Sequence, residues 1–290
     1  MDLSSDRRRL TVGSPFFLGL LVALGFASAG RAIPIEPGAA DYGWLFDDGS
    51  GTTAAASFGG ASASLENGAD WSTDTPFAYT DNRSIRFDGN NDVVEVDDLS
   101  TALNGASAFS ISLWVHSDST NQNRAFWNGV EPSNSDDFGG RYDSRGWLNN
   151  NRGTRNLIKF GLEIDGTNYQ YESDGGYQTT DWQHVLFTWE SGSGVRLYVD
   201  GTLDNPSETS PGLATVVGNL SGQSRFLIGD GAKNSWAGEI DEFFVWRSAL
   251  TGDNAEYLAQ YSSHPIPEPS TALLLSVGLI GLALRRPAAL

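Results

Sequence analysis

Residues 181–201, DWQHVLFTWESGSGVRLYVDG, decide how the rest of this chain is read. Val185, Phe187 and Trp189 fall on alternate positions, and so do Val195, Leu197 and Val199. Successive side chains of a strand point to opposite faces, so each run predicts a strand with one apolar face. Ser191 to Gly194 supplies a Gly/Ser turn between the two strands. Asp200-Gly201 predicts a second tight turn, because glycine adopts positive φ without strain.

Working outward, Phe109, Ile111, Leu113 and Val115 alternate with Ser110, Ser112, Trp114 and His116, the pattern of a strand with one buried face. Short strand-like pieces recur up to Trp246 between Gly, Asp, Asn and Ser turns, with no internal repeat. That rhythm predicts an all-β sandwich or barrel whose alternating apolar faces meet between two antiparallel sheets. Asn128 to Arg155, with SNSDDFGGRYDSRGWLNNNRG inside it, breaks the rhythm and reads as a long loop. Thr251 to Tyr261 reads as a short helix, with Asp253 and Glu256 at capping-box spacing and Leu258 placed to pack back.

The strand WQHV, a short turn, and a strand ending LYVDG resemble the central hairpin of LamG-like jellyroll domains, in the concanavalin A-like lectin/glucanase superfamily. SIRFDGNNDVVEV with FSISLWV (84–115) is similar to that family's first core strands. FLIGDG, GEIDEFFVWRSAL and the helix after them (226–261) are similar to its closing segment, and DYGWLFDDGSG (41–51) to its opening strand. The resemblance runs in order over roughly residues 41 to 262. It implies a two-sheet antiparallel jellyroll sandwich.

Both ends read as signals outside that fold. Residues 1–32 have the parts of a signal peptide, expected as a helix outside the fold: Arg7-Arg8-Arg9, the apolar run Phe16 to Ala27, and the small-x-small pattern Ala27-Ser28-Ala29. Residues 33–262 are the expected jellyroll domain. Residues 263–290 place Pro267-Glu268-Pro269 before an apolar run, Ala272 to Leu284, and then Arg285-Arg286. Positive residues favour the cytoplasmic side. The run of about 13 residues is short against the ~20 of a full span, so a helical tail from about Ser270 to Leu284 is expected to hold the inner membrane only transiently. The arrangement resembles the PEP-CTERM sorting tail, which implies recognition and removal by an exosortase-type processing peptidase and a final location at the surface of, or outside, a bacterial cell.

Composition narrows the function classes. The formal net charge is −18, and there are 34 Gly and no Cys. Without Arg7, Arg8, Arg9, Arg31, Arg285 and Arg286 on one side, and Asp2, Asp6 and Glu268 on the other, the body keeps 12 basic and 33 acidic side chains, about −21. Nucleic-acid binding needs a basic footprint, so it is excluded. Disulfide stapling is excluded too, which leaves core burial to hold the domain together.

The chemistry-bearing residues are few. Glu239-Ile240-Asp241-Glu242 resembles part of the Glu-x-Asp-x-Glu strand of laminarinase-type glucanases, whose three carboxylates share a face. Position 243 is Phe, so that set is broken and no catalytic residues are expected. Asp241 has the parity of Phe243 and Val245. It is expected on the core side as a buried structural acid, satisfied by backbone N–H groups, an arginine or a cation. His184 reads as structural, and His116 sits at a strand end with no evident acid partner. Resemblance to calcium-binding relatives of pentraxin type implies Asp136, Asp137 and Asp230 as calcium ligands, and calcium takes six to eight oxygens. Sugars stack on exposed rings flanked by hydrogen-bonding groups. Trp147 beside Arg145, with Tyr142 and Trp127, are therefore the glycan-binding candidates. The leading expectation is an exported, non-catalytic recognition domain for a glycan or matrix polymer. A structural surface protein without a defined ligand and a divergent polysaccharide-cleaving enzyme are the alternatives.

Overall fold

The computed structural model describes residues 35–60, 62–78, 82–96, 98–129, 138–144, 154–206, 208–232 and 234–261. The first signal, the tail and their expected helices lie outside the described residues, as do Asp136, Asp137, Arg145 and Trp147. Among the described residues every strand pairing is antiparallel. The strands form two sheets, one of eight strands and one of ten, stacked as a jellyroll-like sandwich.

The smaller sheet runs Thr202–Leu203, Gly194–Val199, Gln183–Glu190, Ala108–Ser117, Ala237–Trp246, Ser84–Asp88, Asp70–Ser72, with Tyr42–Trp44 also paired to Ala237–Trp246. Its register explains the alternation in the sequence. Phe109 faces Trp189, Ile111 faces Phe187, Leu113 faces Val185, and Phe187 faces Leu197. All of these are buried in the core between the sheets. Each such side chain contributes about 1.5–3 kcal/mol by leaving water. The Asp200-Gly201 turn forms as expected: both residues have positive φ, 50° and 76°, and Val199 pairs directly with Thr202.

Two local expectations are corrected. Gly139–Asp143, read as loop because it is rich in glycine and polar residues, is a fully buried strand between Arg124–Asn128 and Leu157–Ile164. Its glycines make room for the core: a Cβ on Gly140 would stand 2.8 Å from Trp127 Nε1 and 3.0 Å from the Phe187 ring. The second correction is the parity of Asp241. Glu242 has φ 47° and sits in a bulge, where pairing passes from Asp241–Trp114 to Phe244–Ser112. The extra residue resets the alternation. Ile240 and Phe243 therefore face the core, while Asp241 shares the outer face with Trp114, although it is still completely buried.

That outer face is largely covered. The helix Gly252–Gln260 lays Ala255 and Leu258 on Leu186, Tyr198, Phe244 and Trp246. Its capping box lies two residues earlier than Asp253 and Glu256 indicate: Thr251 Oγ1 accepts from Asn254 N, and the Asn254 side chain accepts from Thr251 N. Further along the face, Phe77 meets Trp114 edge-on at 5.1 Å. Beyond Trp114 the cover ends.

Candidate functional site

At the uncovered end, sheet register sets three polar side chains in one row. Arg86 pairs with Glu239, and Glu239 pairs with His116. Side chains directly opposite on one face are close enough to interact. Gly238, beside them, has φ 136°, and a Cβ there would collide with the His116 carbonyl oxygen, so only glycine lets the two strands approach. The segment after Asp70–Ser72 then brings Asp74 across the row.

His116 Nδ1 lies 2.8 Å from Glu239 Oε2 and 3.3 Å from Asp74 Oδ2. Glu239 Oε1 accepts from Arg86 Nη1 at 3.2 Å and from Ser72 Oγ at 3.5 Å. Arg86 in turn grips Asp118 through both terminal nitrogens, at 2.6 and 2.5 Å, and hydrogen bonding to Asp118 raises its pKa above the usual arginine value. Glu239 is almost wholly buried, His116 is about three-quarters buried and Asp74 is half-exposed. The group is thus anchored below and open above.

Trp182 links this group to a cleft. Its indole stacks on His116, with centroids 5.5 Å apart and planes at 26°, and its Nε1 donates to Asp74 Oδ1 at 2.9 Å. The cleft, about 570 Å³ and open to solvent, is lined by Tyr177, Thr179, Asp181, Trp182, Asp200 and Thr202 among others. The Tyr177 hydroxyl bonds to Asp204, and burial with that bond pushes its pKa up to about 12. Asp204 also takes the Tyr171 hydroxyl at 2.7 Å. Both cleft rings are therefore held by hydrogen bonds to carboxylates. Rings fixed in advance cost less to order on binding.

Deeper under the same face, Ser112 Oγ and His184 Nε2 are 2.8 Å apart. Burial lowers the His184 pKa to about 3. Both side chains are closed off from solvent, so the pair has no access to a substrate. Asp241 accepts from Glu242 N at 2.8 Å, a backbone donor of the expected kind.

A family model for the concanavalin A-like lectin/glucanases superfamily matches residues 88–255, more than half of the chain. The chain belongs to that superfamily. A second model, the PEP-CTERM protein-sorting motif, matches residues 265–286, so this concanavalin A-like chain also carries a PEP-CTERM motif. Among curated proteins it is 32% identical over 121 residues to adhesion G-protein coupled receptor D1 of Homo sapiens, across 40% of this chain and 13% of the receptor. It is 30% identical over 136 residues to the same receptor of Bos taurus, across 45% of this chain and 14% of the receptor. The chain thus spans only a small part of the length of these relatives. Among solved structures it resembles domain 4 of AbnA, a GH43 extracellular arabinanase from Geobacillus stearothermophilus, in complex with arabinotriose. The TM-score is 0.52 at 16% identity, over 76% of this chain and 98% of that one. The receptor-binding domain of botulinum neurotoxin mosaic serotype C/D gives 0.52 at 14% identity, over 76% and 50%. At these identities the likeness is one of fold.

Two glycan candidates of the sequence reading are corrected in this concanavalin A-like fold. Trp127 and Tyr142 are completely buried. Trp127 stacks on Phe226 at 5.7 Å and 8°, and Tyr142 packs on Phe126 and Trp236 and donates to Gln183 Oε1 at 3.0 Å. Neither ring has a face for a sugar. Arg145 and Trp147 lie outside the described residues, as do Pro267, Glu268, Pro269, Arg285 and Arg286. Asp230 is buried and accepts from Asn128 Nδ2 at 2.7 Å; Asp136 and Asp137, its expected partners on calcium, lie outside the described residues. The His116 group was missed, and the expectation that His116 has no acid partner is overturned. Glu239 stands 123 positions away from it and Asp74 stands 42, so no local motif announces them. The available signal was weak: the outward parity of His116 within its strand, and the Trp182 next to the central hairpin.

Proposed function

We propose that this is an exported, non-catalytic glycan-recognition domain whose binding cleft lies at the Trp182 edge of the smaller sheet. The observation that carries the reading is the open cleft lined by the Tyr177 and Trp182 rings, with Thr179, Asp181, Asp200 and Thr202 around them. Stacking on fixed aromatic faces, with carboxylates and hydroxyls to take sugar hydroxyl protons, is the usual chemistry of sugar recognition. The superfamily supports the reading, and the arabinanase domain's arabinotriose complex is consistent with it.

A glycan array on the purified protein tests this. Binding to at least one extracellular polysaccharide class is expected. Trp182→Ala should weaken it tenfold or more, about 1.4 kcal/mol, while the melting curve moves little because Trp182 is only half-buried. An empty array would return the protein to the class of structural surface proteins. Reducing ends released from a bound glycan would make it an enzyme.

The PEP-CTERM motif supports export followed by removal of the tail. Glu268→Ala in the native host is expected to block processing and leave the chain in the inner membrane. Mass spectrometry of the exported protein reads the outcome directly, and a C-terminus still at Leu290 would rule the processing out. Among the described residues, no helix is long and apolar enough to cross a membrane.

Calcium shared by Asp136, Asp137 and Asp230 is a separate proposal. An ion that binds only the folded state contributes about 2.7 kcal/mol at a hundredfold excess over its Kd. Calcium should raise the melting temperature, and Asp136→Asn with Asp137→Asn should remove that rise. An unchanged melting curve in excess calcium ends the proposal.

A further inference from the structure

We propose that Asp74, His116 and Glu239 form a zinc site. Three elements far apart in sequence, the segment after Asp70–Ser72, the end of Ala108–Ser117 and the start of Ala237–Trp246, bring one ligand atom each to within 4.8 Å of the others. Tetrahedral ligands ~2.0–2.1 Å from zinc stand ~3.3 Å apart. The His116 Nδ1 to Asp74 Oδ2 separation is 3.3 Å. The Nδ1 to Glu239 Oε2 separation, 2.8 Å, is a hydrogen-bond distance, which a bound ion would widen by about half an ångström.

The proton count favours a cation. Two carboxylate oxygens converge on a single ring nitrogen, and that nitrogen carries at most one proton to share between them. A dication in its place satisfies all three atoms at once. The remaining atoms are already set for it. Glu239 Oε1 is taken by Arg86 and Ser72, and Asp74 Oδ1 by the Trp182 indole N–H, so each carboxylate has its other oxygen turned toward His116. Trp182 stacks on the imidazole and fixes its plane. Outer partners of this kind orient metal ligands and strengthen binding. A neutral imidazole nitrogen with two carboxylates suits zinc better than calcium, which takes oxygen alone. Asp74 is half-exposed, so the fourth position opens toward solvent beside the Trp182 cleft. The proposal does not depend on the glycan reading, because none of the three ligand residues lines the cleft.

Isothermal titration of the full chain with zinc chloride, without a histidine tag, tests it, with cobalt(II) absorption as a second readout. One zinc per chain is expected, with an intense cobalt band of low coordination number. Affinity should fall as pH drops, because protons compete for the ligands. His116→Ala and Glu239→Gln should each weaken binding at least tenfold. Glu239 is buried, so Asp74→Asn, at a half-exposed position, serves as the variant that keeps the fold; it too should weaken zinc at least tenfold and bleach the cobalt band. Zinc binding unchanged in Asp74→Asn and His116→Ala, or no stoichiometric binding by the parent protein at micromolar zinc, overturns the assignment. Calcium titrated against the same variants should be indifferent to them, which keeps this site distinct from the loop aspartates.

Discussion

Trp127→Ala is expected to destabilise the domain by about 3–5 kcal/mol, the range for removing a large aromatic side chain from a packed core. Trp127 is completely buried and touches five faces of the same cluster. It stacks on Phe226 and meets Phe138 at 4.8 Å, Phe160 at 5.6 Å and Phe187 at 5.9 Å, while Gly140 lies against its Nε1. These residues come from both sheets, so the cavity would open at the sandwich centre, where the backbone cannot collapse to fill it. Trp127→Phe should cost far less, under about 2 kcal/mol. It keeps a ring against Phe226 and removes an indole N–H that finds no acceptor among the described residues. Chemical denaturation of the two variants decides it. A loss below about 1 kcal/mol for the alanine variant would mean that Trp127 is not the centre of the core. Any glycan binding lost by Trp127→Ala reports unfolding rather than a contact, which is why Trp182 is the informative substitution.

Acid should destabilise the protein through His184. Burial lowers its folded pKa to about 3, against 6.5 for the free side chain. Between those values the unfolded chain takes up a proton that the folded chain refuses. The contribution to stability is therefore complete above pH 6.5 and is lost as pH falls from 6.5 toward 3. Each unit of pH costs roughly 1.4 kcal/mol, for a total on the order of 5 kcal/mol. A charged imidazole at this position would sit against the Trp114 ring, 5.3 Å between centroids, with Ser112 as its hydrogen-bond partner and no solvent. Asp200, whose pKa burial raises, acts in the opposite sense and is protonated more readily in the fold. Comparison with His184→Gln removes that background, since Asp200 accepts from the residue 184 backbone and not from its side chain. Denaturation midpoints between pH 7 and pH 4 should fall more steeply for the parent protein than for His184→Gln. Equal slopes would clear His184 of the effect.

The Arg86–Glu239–His116 row and the buried His184 imidazole lie on one face of one sheet, yet they differ in what covers them. The helix Gly252–Gln260 and Phe77 seal the part that holds His184 and Asp241, and the part that holds His116 stays open. Exposure, not residue type, separates a structural histidine from one available to a ligand. Both sit on the outer side of strands with identical alternation.

The amino-acid sequence alone determined the central strands, their inward faces and the turn between them. Alternation at Phe109 to Val115 and at Val185 to Val199, together with Asp200-Gly201, set which side chains face inward and where the chain turns, because both depend only on neighbours a few residues apart. The sorting motif was legible for the same reason: it is a local string. The tertiary structure decided the rest. The Glu242 bulge moved Asp241 to the opposite face from the one its parity indicated, because a single left-handed residue shifts every later side chain by one. GGRYD became a buried strand only because two neighbouring strands and the large rings of Trp127 and Phe187 needed a flat, side-chain-free surface between them. Asp74, His116, Trp182 and Glu239 became one site because pairing register, a long-range property, set residues more than a hundred positions apart side by side. Local periodicity carries no information about which strand will be the neighbour, and at this end of the sheet the neighbour makes the chemistry.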